Sequence, residues 1–276
     1  MSFAQLLHEP YLTPNSFPSW YASMSLTRLD CHCFRGRSTS LDTSSFVSLN
    51  PGACPGRLVL AGARAVRESI GSQVACRLSV EHFVEGILDF YVPKAGAESA
   101  PVAADESQHS ERSLQALEAA FRKANKSVYS FGHSLSAGGR MAASFLALVL
   151  DEDFIAAGRV GGGGAYLYRG GELFPFFESP SENASPEFLG TQSLVSVELA
   201  SVPIEARDLF LVFSEQLSAQ EESKLTELLS DIDYQTSINP ALEVSQFLFD
   251  SPQDVAFALS ARVGDEVIYL DDVVSS

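Results

Sequence analysis

Residues able to do chemistry lie thinly along this chain. Gly132, His133, Ser134, Leu135 and Ser136, in "GHSLSAGG", imitate part of a nucleophile elbow. That elbow is a strained strand-to-helix turn that lifts a serine hydroxyl into a hydrolase site. The pattern needs glycine at position 136 and finds serine, and the residues that follow read as a strand rather than a helix. The second candidate is the glycine run 161–164 in "VGGGGAYLYRGGEL". It lacks the Gly-Lys-Ser/Thr ending of a phosphate loop and opens no helix, so it reads as a tight turn between two strands. His8, His32, His82, His109 and His133 show no paired-ligand spacing. Cys31, Cys33, Cys54 and Cys76 form neither a disulfide framework nor a zinc ribbon and read as reduced thiols.

The elements around these residues predict a single large core. The chain has 276 residues, 46% of them hydrophobic, enough to bury one sizeable domain. No run approaches the roughly 18 apolar residues that span a bilayer, and the proline-broken start has no basic n-region, so a cytoplasmic protein is expected. Thirty-five acidic residues against eighteen basic ones leave a net charge of −17, a field that repels a phosphate backbone and argues against nucleic-acid binding. Residues 1–24 read as a Pro/Ser-rich arm, and 25–276 as one domain. Strands are predicted at 44–49 and 57–63, followed by a helix over 65–91 with an apolar stripe of Val66, Ile70, Val74, Leu78, Phe83, Ile87 and Phe90. A polar, mobile connection (93–111) and a second helix (111–126) come next. The strands "RMAASFLALVLD", "DFIAAGRV", "AYLYRGGEL", "SLVSVELA" and "DLFLVFS" follow. Ser218 and Glu221 open a helix with a capping box, a short helix covers 239–248, and two strands about Val263–Gly264 close the chain. Strands, a helix pair, more strands, a helix and final strands predict an α+β fold.

In this order the segments resemble the metal-dependent protein phosphatases, the phosphatase 2C (PPM) family, over roughly residues 27–265. "GRSTSLD" resembles the family's arginine-to-aspartate opening. "LVLAGARAVRESIGSQVACRLSVEHFVE" resembles its hydrophobic strand, Asp-Gly-Met-Gly-Gly turn and long helix. "GGRMAASFLALVL" is similar to its Gly-Thr-Thr-Ala strand, and "GRVGGGGAYLYRGGEL" to its Val-Gly-Asp-Ser-Arg-Ala-Tyr hairpin. "DLFLVFSEQLS" resembles the strand ending in Ser-Asp-Gly-Leu, and "SPQDVAFALSARV" the final Asp-Asn-Val-Thr strand. The resemblance implies a four-layer αββα sandwich: two antiparallel sheets flanked by helix pairs.

It also implies where metals and phosphate would bind. In the family, two Mg²⁺ or Mn²⁺ ions held by carboxylates bridge the attacking water and clamp the phosphoryl group. The family's phosphate-gripping arginine falls on Arg37 and its first aspartate on Asp42, with Leu41 in place of the preceding glutamate. The aspartate that bridges both metals falls on Ala61, followed by Gly62. The hairpin aspartate falls on Gly162, and that of Ser-Asp-Gly-Leu on Glu215. The last aspartate falls on Gln253, with Asp254 beside it, and a one-residue slip would restore that ligand.

With most ligands replaced, the resemblance implies a pseudophosphatase: no catalytic residues, and at most weak Mn²⁺ or Mg²⁺ binding. Its role would be that of a regulatory or scaffold subunit for protein partners such as a Ser/Thr kinase, a phosphoprotein or a multi-subunit assembly. The alternative is a weakly active or rewired metal-dependent Ser/Thr phosphoprotein phosphatase using Arg37, Asp42, Glu215 and Asp254.

Overall fold

Two five-stranded antiparallel sheets form the middle of the molecule. The computed structural model of the chain describes residues 28–35, 44–49, 57–91, 106–135, 141–151, 154–178, 187–234, 237, 239–249 and 256–264. The first sheet contains β1 (Arg28–Arg35), β10 (Phe257–Gly264), β9 (Leu209–Phe213), β6 (Gly164–Arg169) and β7 (Glu172–Pro175), in that spatial order. The second contains β2 (Ser44–Leu49), β3 (Arg57–Ala65), β4 (Ala143–Asp151), β5 (Phe154–Val160) and β8 (Glu198–Pro203). Helices α1 (Ile70–Tyr91) and α2 (Glu106–Ser134) cover the second sheet, and α3 (Ala219–Asp231) and α4 (Pro240–Leu248) cover the first.

Side-chain alternation along the strands builds these layers, because successive residues point to opposite faces. On β3 and β4, Val59, Ala61, Ala63, Phe145, Ala147 and Val149 pack toward α1 and α2. Leu58, Leu60, Leu146, Leu148 and Leu150 face the other way and meet Phe210, Val212, Phe257 and Leu259 between the sheets. Both faces are apolar, so the central strands read as continuous hydrophobic runs. On the far side, Tyr166, Leu209, Leu211 and Phe213 take the apolar stripe of α3 and α4: Leu225, Leu229, Ala241 and Val244. The result is the four-layer αββα sandwich that the family resemblance implied.

Local chemistry sets the helices. Ser218 caps α3 by accepting from the Glu221 backbone, while the Glu221 carboxylate accepts from the Ser218 N–H at 2.7 Å, completing the capping box. Asn239 caps α4, with Pro240 at its first position. Between α1 and α2, Gly86 allows a close approach: a Cβ there would lie 2.6 Å from the Ala120 Cα. Beneath them Phe83, Phe121 and Phe145 form an aromatic cluster with ring centroids 4.9–5.4 Å apart, each pair contributing about 0.5–1.5 kcal/mol beyond area burial.

Several elements differ from their sequence reading. Helix α1 begins at Ile70 rather than 65, because β3 stays paired with β4 through Ala65. Helix α2 begins at Glu106, inside the stretch read as a mobile connection, and extends to Ser134. It therefore absorbs Gly132, His133 and Ser134, whose hydroxyl donates to the Phe131 carbonyl, so no elbow forms. Strand β8 begins at Glu198, later than the reading of 193–200, and β1 was not predicted at all. The glycine run is not a hairpin turn: β5 and β6 lie in different sheets, and residues 161–163 cross from one sheet to the other. The arm at 1–24 and the last strand beyond Gly264 lie outside the described residues. Among the described residues no helix is long and apolar enough to cross a membrane.

Candidate active site

The layer between the sheets opens at one rim, where β3, the glycine crossover and the end of β9 meet. A cleft of about 500 Å³ lies there, walled by Arg64, Arg67, Glu68, Gly162, Phe188 and Glu215 among others. Strand geometry decides which side chain β3 presents to it. Leu58, Leu60 and Gly62 share the inter-sheet face, and the next residue of the same parity is Arg64, opposite Ser144 on β4. Arg64 emerges where the sheets part, and its Nη1 donates to Glu215 Oε1 at 2.5 Å. Both side chains are partly exposed, at 30% and 49%.

Neither Ala61 nor Gly62 can present a group to this cleft. Ala61 is fully buried against the helices, and a Cβ on Gly62 would lie 2.1–2.7 Å from atoms of the Phe257 ring. The cleft-facing position of β3 therefore falls on a cation, three residues past Ala61. Glu215 and Gly162 do line the cleft. Arg37, Asp42, Gln253 and Asp254 lie outside the described residues.

Sterics explain most of the glycine run. Gly161 and Gly163 have φ of +85° and +108°, a region that side chains disfavour. A Cβ on Gly164 would lie 2.7 Å from the Tyr166 ring. Gly162 is different: its φ is not in that region and nothing lies within 4 Å of a Cβ there. The sequence reading that this position keeps the backbone without the carboxylate thus meets open space.

The cleft's supports were missed in the sequence. Arg159, only 1% exposed, spans the sheets at the rim. It donates to both oxygens of Glu198 (3.1 and 2.7 Å), to the Gly163 carbonyl (3.1 Å), to Gln216 Oε1 (2.8 Å) and to the Glu178 carbonyl (2.9 Å). Its guanidinium also stacks 4.7 Å from the Phe177 ring centroid. The other end of Gln216 donates to the Tyr166 hydroxyl, which also accepts from the Leu217 N–H, both at 3.0 Å. Burial pushes the Tyr166 hydroxyl above its ordinary range. One buried arginine and one buried tyrosine thereby hold Gln216 and Leu217, the two residues that follow Glu215. The only advance signal was an isolated arginine in the apolar run "DFIAAGRV".

The donor set of the cleft, among the described residues, does not fit a pair of hard divalent cations. Among the described residues no three His, Cys, Asp or Glu side chains cluster. Two carboxylates among the described residues line the cleft, Glu68 and Glu215, and the second is already engaged by a guanidinium that would repel a cation. Such ions take about six or more oxygen ligands, water included. What the cleft offers instead is a cation and a carboxylate side by side, with a serine hydroxyl, Ser214, buried beneath and unpartnered among the described residues.

No family model matches the chain, and no curated protein matches it in sequence. Solved structures do match. The Mycobacterium tuberculosis serine/threonine phosphatase PstP/Ppp aligns at 16% identity and TM-score 0.58, covering 87% of this chain and 99% of that one. A PstP catalytic domain in complex with two manganese ions aligns at 18% identity and TM-score 0.58, with the same coverage. PppA, a key regulatory component of T6SS in Pseudomonas aeruginosa, aligns at 17% and 0.60, covering 87% and 98%. These matches contradict the expectation of a non-enzyme: the whole-domain likeness is to serine/threonine phosphatases. The chain has the phosphatase 2C fold, the sandwich on which those serine/threonine phosphatases are built.

Proposed function

We propose that this protein is a rewired phosphoprotein phosphatase that hydrolyses phosphoserine or phosphothreonine in protein substrates in the cytoplasm. One observation carries the reading: Arg64 and Glu215 meet at 2.5 Å in a cleft at the sandwich rim, in a fold shared with serine/threonine phosphatases. Phosphoryl transfer needs little covalent chemistry from a protein, mainly positioning and charge stabilisation. Arg64 supplies a planar cation whose donors match phosphate oxygens in pairs. Glu215 supplies an acceptor that orients a water and takes its proton. The water oxygen bonds to phosphorus, the bond to the seryl or threonyl oxygen breaks, and the leaving oxygen departs as the alcohol by taking a proton from solvent, to which Glu215 returns the one it accepted. Arg37, at the position of the family's phosphate grip, is the candidate for a second clamp.

The test is phosphate release from phosphoserine peptides by wild type and Glu215→Gln. Losing one such electrostatic group typically costs about 10²–10³ in rate, so release by wild type that falls by that factor supports the reading. Equal release by both proteins refutes it.

A further inference from the structure

We infer that the rim cleft seats a phosphate monoester dianion without a metal ion, through Arg64, with Glu215 as a latch that the ligand displaces. The inference rests on the phosphatase reading for its ligand class, and on the cleft itself for the rest. Arg64 is fixed by a strand paired on both sides, to Ser44 on β2 and Ser144 on β4, so its Cα is held as firmly as any in the sheet. The Ser144 hydroxyl donates to the Arg64 carbonyl at 3.4 Å. A guanidinium thus stands where the sheet opens, and it brings permanent positive charge into the cleft.

The space around that charge is shaped for a small ligand. Gly162 leaves open volume on the opposite wall, Phe188 closes one side, and the Phe257 ring fills the position below Gly62. Beneath lies the Ser214 hydroxyl, 3% exposed on a residue that lines the cleft and with no partner among the described residues. A buried hydroxyl in that state is a donor waiting for an acceptor. The Arg64–Glu215 pair is partly exposed, and such pairs are worth little in water. A dianion that engages the guanidinium through two oxygens makes the stronger interaction, so Glu215 gives up the guanidinium while staying at the cleft wall.

The test is calorimetric titration of a phosphoserine peptide in EDTA into wild type, Arg64→Ala, Arg64→Lys and Glu215→Gln. Melting curves of each variant show that it is folded. Wild type is expected to bind, Arg64→Ala to lose at least about tenfold in affinity, and Arg64→Lys to fall between them, since an ammonium cannot pair two oxygens in a plane. Glu215→Gln is expected to tighten binding several-fold by removing the competing charge. Equal affinity of wild type and Arg64→Ala overturns the inference, as does binding that appears only when Mn²⁺ replaces EDTA. Phosphate release measured on the same samples separates the two claims. Arg64-dependent binding without release removes the proposed activity and leaves the seat, whereas release without Arg64-dependent binding does the reverse.

Discussion

Replacing Arg159 by alanine should be the most damaging single change to the cleft, and its cost can be worked from its bonds. The side chain donates five hydrogen bonds. Two go to Glu198, whose side chain is 53% exposed, so that carboxylate rehydrates and its loss counts for little. The other three go to the Gly163 carbonyl, the Glu178 carbonyl and Gln216 Oε1 in buried or half-buried surroundings. A group left without its partner there costs about 1–3 kcal/mol. The sum, about 3–5 kcal/mol after discounting groups that reach water, agrees with the range for breaking a buried ion pair. For a domain of this size each kcal/mol moves the midpoint by about 2–4 °C, so thermal melting should fall by about 6–20 °C. Arg159→Lys keeps the charge but not the fork, and should lose about half as much. Differential scanning calorimetry of the three proteins is the assay. A midpoint for Arg159→Ala within about 2 °C of wild type, on the scale of an ordinary surface change, would refute the view that this arginine ties the sheets together.

Gly62→Ala drives a methyl into the Phe257 ring and should cost about 1–3 kcal/mol by overpacking, with Phe257→Leu in the same chain restoring much of it in denaturant titrations. Ser218→Ala removes one half of the α3 capping box and should lower stability by about 1 kcal/mol, read from the urea midpoint. Gly162→Asp should leave stability within about 0.5 kcal/mol, because its side chain enters open space. Combined with Arg64→Asp it places two new carboxylates in the cleft beside Glu215, and calorimetry should then show Mn²⁺ binding that exceeds wild type. An unchanged Mn²⁺ isotherm would contradict the geometry given for the rim.

Local signals in the sequence carried over well, and long-range ones did not. The Ser218–Glu221 box was legible because its parts lie within one turn, and the α+β class was legible because element order and periodicity are local properties, whereas the layering came from the family resemblance. The cleft was harder to read. In β3 both faces are apolar, so no alternation marks which residue faces the gap between sheets, and nothing local singled out Arg64 as the side chain that reaches the cleft. Arg159 was invisible for a related reason: its partners lie as far as 57 residues away and on the other sheet. The glycine run misled because a crossover between sheets and a hairpin turn ask for the same residue. Their difference lies in which strands pair, and pairing is decided by the whole core.

The role proposed for Arg64 and Glu215 is the working end of a phosphate-handling cleft. A crystal structure of the protein grown with orthovanadate tests it most directly. The oxyanion should lie within hydrogen-bond distance of the Arg64 guanidinium, with Glu215 turned away from its present partner. Vanadate bound elsewhere, with the Arg64–Glu215 pair undisturbed, would contradict the claim.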